Sequence, residues 1–132
     1  MHYTCLWLGG SLVAVTALLS TSAAAIDAQP YGFTAAAQEI TQLYWLAETA
    51  SVCGWASESE ASRFKGFSLR FLVAHLPSSQ GSALESLVRA VGYADGVRRA
   101  AEDGAKENCD KPRWQQGWLA YKAAADEHEH EY

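Results

Sequence analysis

Glu127-His128-Glu129-His130-Glu131 sets two imidazoles two residues apart among carboxylates. In an extended chain that spacing turns His128 and His130 to one side, a geometry able to take a divalent transition metal weakly. The bland alternative is a solvated acidic tail. His75, the other histidine beyond the first 25 residues, falls near a predicted helix C-terminus, where the helix dipole favours a positive ring. No nucleophile and acid accompany it. The sequence therefore points away from general acid-base catalysis, and towards a protein that is not an enzyme and needs no cofactor.

Cys53 and Cys109 are the next reactive residues. Redox catalysis uses cysteines close in sequence with a depressed thiol pKa, whereas these lie far apart with no basic neighbour except Lys111. A structural disulfide is the expectation. Trp55, Arg113 and Trp114 flank the pair in sequence, and because tryptophans anchor interfaces these three form a candidate interaction patch. Packing of the rings against the bridge is the alternative. A further candidate is Val91-Gly92-Tyr93-Ala94-Asp95-Gly96-Val97, where each glycine costs about 1 kcal/mol relative to Ala inside a helix. Either a neighbouring helix comes close there, or the helix breaks into a groove in which Tyr93 and Asp95 meet a ligand. Arg98, Arg99, Glu102, Asp103 and Lys106 pair at three and four residues and read as a solvated face.

These residues follow a segment that looks like an export signal. Leu6 to Leu19 is an uncharged apolar run, shorter than the ~20 residues of a spanning helix, and Ala23-Ala24-Ala25 ends a stretch of small residues suited to signal peptidase. The expected organisation is a cleaved signal peptide over 1–25, a helical domain over 26–125 and an acidic tail over 126–132. No membrane span is expected after cleavage, and the location is periplasmic or secreted. Cys5 leaves with the leader and precedes the apolar run, so a lipoprotein is excluded. Cys53 and Cys109 then remain in an oxidising compartment. Every charged residue lies after Ala25, and the formal net charge of -5 without a basic stripe argues against nucleic acid.

The elements that must position these side chains read as helices. Thr34 caps the first after an extended lead-in through Phe33; Ala36, Ile40, Leu43, Ala47 and Ala50 form its apolar stripe, and Gly54 stops it. Ser57 and Glu60 open the second with capping-box spacing, and Pro77 closes it. Ser82 and Glu85 repeat that spacing before a third helix with Leu84, Leu87, Val88, Val91 and Ala94 inward, running to about Asn108. Asp110 caps a fourth, with Pro112 in its first turn and Trp114, Trp118, Tyr121 and Ala125 along one side; the tail from Asp126 is frayed. Short connections imply an all-α, four-helix up-down bundle with one disulfide joining the C-terminal ends of helices one and three.

Leu43-Tyr44-Trp45-Leu46 leading to Cys53, a middle helix, then Gly92-Tyr93 leading to Cys109, resembles small periplasmic helical proteins of alphaproteobacteria that carry no known activity. Gly92, Tyr93 and Gly96 ahead of Cys109 also resemble the Rap/Tai-type periplasmic immunity proteins, although Ala90 and Val91 stand where that family has a cysteine. The first likeness implies an envelope location. The second implies neutralisation of a toxin by direct contact. The functional expectation is an exported protein acting through contacts with an envelope partner, immunity- or inhibitor-like, with metal binding by the His-Glu tail as the alternative.

Overall fold

α1 (Tyr31–Val52) carries only two charged residues, Glu39 and Glu48, in its 22 positions. So little polar surface suits a central helix, and residues 46–50 are all buried. Five successive residues cover every face of a helix, so at this level α1 is surrounded on all sides. The structure is a computed structural model describing residues 31–132. The expected leader, Cys5 and the domain's first residues lie outside the described residues.

The other helices are α2 (Glu58–Ala74), α3 (Ser78–Arg89), α4 (Tyr93–Asp103), α5 (Ala105–Asn108) and α6 (Pro112–His128), followed by a 3-10 turn over Glu129–Glu131. The described residues are thus all-helical, in six helices where four were expected. Local chemistry explains several boundaries. α1 ends in a Schellman turn: Gly54, at φ 75°, donates to the Ser51 carbonyl, and the Trp55 N–H donates to the Ala50 carbonyl. Ser57 and Glu60 form the expected capping box, the Glu60 N–H donating to Ser57 Oγ at 3.1 Å and the Ser57 N–H to Glu60 Oε1 at 3.4 Å. Pro112 takes the first turn of α6, where its missing N–H costs nothing.

Other boundaries differ from expectation. α1 starts ahead of Thr34, because Phe33 packs against the cluster of Ala36, Ile40, Leu72 and Leu84 and is drawn into the helix. α3 begins directly after Pro77, so Ser82 and Glu85 already lie inside it and form no capping box. Gly81 is buried there, and a Cβ on it would sit 3.2 Å from Val73 Cγ1; α3 approaches α2 closely at this point. The expected single third helix is interrupted at Ala90–Gly92, where Gly92 adopts φ 87°. A Cβ at Gly92 or Gly96 would touch nothing within 4 Å, so neither glycine marks a close approach; Gly92 makes the break, and Gly96 lies inside α4. Val91, expected inside, is fully exposed at the corner, and Ala94 is exposed beyond it. Lys111, not Asp110, occupies the N-cap of α6, without a side-chain bond. The tail expected to fray stays helical.

Contacts fix the directions of the chain. Lys65 on α2 meets Glu48 and Leu72 packs with Ile40, so α2 returns antiparallel to α1. Tyr93 meets Thr41, Arg98 meets Glu48 and Cys109 reaches Cys53, so α4 and α5 run the same way as α1. α6 turns back, with Trp114 against Trp45 and fully buried Trp118 edge-on to Phe64 at 5.0 Å.

Candidate functional site

Cys53 and Cys109 are joined, Cα to Cα 5.3 Å, just beyond the ends of α1 and α5. The tryptophans beside them have different fates. Trp55 follows the left-handed glycine of the Schellman turn, a position that commonly folds back on the helix it ends, and its half-buried ring packs on the cluster of Leu46, Ala47, Ala50 and Phe64. Its place is structural. Trp114 is also half-buried, edge-on to Trp45 at 5.1 Å, and the Arg113 guanidinium lies 4.9 Å from its ring centre. Arg113 itself is exposed.

Trp114 and Arg113 line a groove of about 700 Å³ between α1 and α6, together with Leu43, Trp45, Gly117 and Tyr121. α6 is anchored through Trp118 and Ala125, the two buried residues of that helix. Tyr121, expected on the inward side, is 55 % exposed, so the α1/α6 seam is open along its aromatic edge. A Cβ at Gly117 would meet no atom within 4 Å, which leaves the groove floor wide at that point. The indole N–H groups of Trp114 and Trp118 are buried without an acceptor among the described residues, an arrangement that costs about 1–3 kcal/mol per group.

Sequence reasoning missed the main charge cluster. Glu48 on α1 is held by Lys65 of α2 and by Arg98 of α4 at 2.8 Å, and Arg98 also reaches Glu58 at 3.1 Å and Glu102 at 2.9 Å. Burial alone would push the Glu48 carboxyl up; the hydrogen bonds from Lys65 and Arg98 outweigh it and hold the carboxyl below its ordinary value. The same three carboxylates hold the Arg98 guanidinium firmly protonated. Arg98 was expected on a solvated face. The available signal was the scarcity of charge on α1, since a lone Glu in a helix surrounded at residues 46–50 must find cationic partners. The cluster ties three helices together.

Tyr93 and Asp95 both lie in the first turn of α4. The Tyr93 hydroxyl is hydrogen-bonded to Thr41 Oγ1 at 2.9 Å and its ring is edge-on to Tyr44 at 5.9 Å, while Asp95 is exposed in the first turn of α4, where a carboxylate favours the helix dipole. His128 closes α6 and His130 lies in the 3-10 turn, so the two rings leave a helical backbone and do not share a face as they would in an extended chain. His128 Nδ1 contacts Glu131 at 3.0 Å, which raises the ring's pKa. Among the described residues no group of three or more His, Cys, Asp and Glu is placed to hold a metal ion, and no helix is long and apolar enough to cross a membrane. Comparison with protein-family models, curated proteins and solved structures finds no match for this chain.

Proposed function

We propose that this is an exported, non-enzymatic protein of the periplasm or cell exterior that works by gripping a partner protein, in the manner of an immunity protein or inhibitor. In this reading the six helices act as four rods of an up-down bundle, α3 to α5 forming the third, with the disulfide pinning one pole. The observation that carries it is the open α1/α6 groove with Trp45, Trp114 and Tyr121 on its walls and Arg113 at its edge. Half-buried tryptophan beside an exposed arginine is the composition of an interface anchor, because both give a large contact area for few rotatable bonds. Gly92, Tyr93 and Gly96 open α4 on another part of the surface, and the likeness to immunity proteins that they suggest supports the reading only in kind.

Gly117→Leu adds bulk to the groove at a position where a Cβ meets no atom within 4 Å, and Arg113→Glu reverses the charge at its edge; neither residue is buried. With the mature protein as bait in native envelope extract, the unaltered chain should retain a specific protein that both variants lose while their melting midpoints stay in place. Equal capture by all three chains, or no specific capture, would refute the groove as the working surface.

A further inference from the structure

We propose that a second cavity, bounded by α1, α2 and α6, binds a small organic cation with an apolar body. This goes beyond a protein-contact role and concerns the opposite end of the molecule from the disulfide. The cavity measures about 280 Å³, just below the usual size range of small-molecule sites and suited to a small ligand. Its depth is apolar, with buried Phe64 and half-buried Leu43 and Phe67 in the wall.

The mouth is aromatic. Tyr132 is edge-on to Phe67 at 6.1 Å and to Phe71 at 5.2 Å, and Phe67 and Phe71 are themselves 6.1 Å apart, so three rings pack against one another at one side. Tyr121 supplies a fourth ring, more than half exposed. The face of an aromatic ring carries partial negative charge and attracts a cation, most strongly one that is only weakly hydrated. A quaternary or bulky ammonium meets that condition; a metal ion, which is strongly hydrated and wants several oxygen ligands, does not.

The charges at the rim select the same class. Two carboxylates line the cavity, Glu39 and Glu131. Glu131 is occupied by His128 at 3.0 Å, but no ion pair or side-chain hydrogen bond engages Glu39 among the described residues. Of the cations near the cavity, Arg63 holds Glu129 at 2.7 and 2.9 Å and Lys122 holds Asp126 at 2.9 Å, while Arg113 shares the larger groove with Glu39 without an ion pair between them. The rim therefore keeps one uncompensated negative charge even when His128 is protonated. An anion is repelled, a neutral apolar molecule leaves Glu39 unused, and a cation with an apolar body satisfies both the rings and the carboxylate.

The test is calorimetric titration of the full chain with three probes: benzyltrimethylammonium, its uncharged carbon analogue neopentylbenzene, and phenylacetate. The cation should bind about tenfold more tightly than the neutral analogue, the gain expected from a partly desolvated cation over aromatic faces beside one carboxylate, and phenylacetate should bind weakest. Glu39→Gln should reduce the difference between cation and neutral analogue several-fold, the rings holding the remainder. Tyr132→Ala should weaken the cation several-fold without altering the helical content. Glu39, Leu43 and Tyr121 line both this cavity and the larger groove, whereas Tyr132 lines this cavity alone; Tyr132→Ala should therefore leave capture of the envelope partner unchanged, so this site and the partner surface can fail separately. Equal affinity for the charged and neutral probes, a difference left unchanged by Glu39→Gln, or no binding by any probe would overturn the proposal.

Discussion

The end of the molecule that holds the disulfide and the end that holds Tyr132 are ordered by different forces. At the first, a covalent bridge, a Schellman turn and the half-buried Glu48 cluster fix α1, α2, α4 and α5 together. At the second, aromatic rings stack at the surface and exposed ion pairs such as Arg63 with Glu129 hold the last turn. Phe71, Tyr121 and Tyr132 remain more than one third exposed there. The contrast is one of means: the bridge end is held by a covalent bond and partly buried ion pairs, and the Tyr132 end by aromatic packing and exposed ion pairs.

Cutting the bridge gives the largest effect expected of these variants. Cys109→Ser should lower the unfolding free energy by about 2–5 kcal/mol, measured by denaturant titration without reductant. A change at the Tyr132 end of similar size would erase the distinction. Glu48→Gln comes next: it removes the charge and one of the two oxygens that Lys65 and Arg98 engage, and should cost about 1–3 kcal/mol.

The same carboxylate sets an acid limit. The folded pKa of Glu48 lies below its ordinary 4.5, so its contribution is complete above about 4.5 and disappears as pH falls through the lowered folded value. Unfolding free energy measured from pH 7 down to pH 3 should fall less steeply in Glu48→Gln than in the unaltered chain. A parallel pair of curves would show that the cluster carries no proton linkage.

At the other end the effects should be small. Tyr132→Ala should cost no more than about 1.5 kcal/mol, the upper value for an aromatic pair. Arg63→Ala should leave the melting midpoint nearly unchanged, since its side chain is 62 % exposed and an ion pair there is screened by water. His128 has the opposite pH sign to Glu48. Its raised pKa means that the contact with Glu131 contributes below pH 6.5 and is lost as pH rises through the folded value. Chemical shifts of the His128 ring followed from pH 5 to 9 should give a midpoint above 6.5, and Glu131→Gln should lower it.

What was legible in the sequence was local. Ser57 with Glu60, Gly54 and Pro112 specify their own turns through bonds made within a few residues, and all three act as expected. The cysteine pairing followed from compartment and number, and the structure joins the two. The third helix was not legible because glycine fits two opposite roles, close approach and a left-handed corner; what decides between them at Gly92 is the absence of a neighbour, a tertiary fact. Arg98 was misplaced for the same reason. Its pairing with Glu102 is visible at four residues, whereas its bond to Glu48 spans 50 positions. The groove was half legible. Trp114 and Arg113 were singled out, but their proximity to Trp45 and Tyr121 depends on how α6 leans on α1.

The disulfide also divides the chain into a ring and two arms. Residues 53–109, with α2 to α5, form a closed covalent loop, and α1 and α6 leave it from the two linked cysteines, 5.3 Å apart at their Cα atoms. The two helices that face each other across the larger groove are thus joined at the root by a bond that does not depend on the fold. A single backbone cut anywhere inside the ring would leave both arms on one molecule until a reductant arrived, and the root of the groove would be the last part of it to come apart.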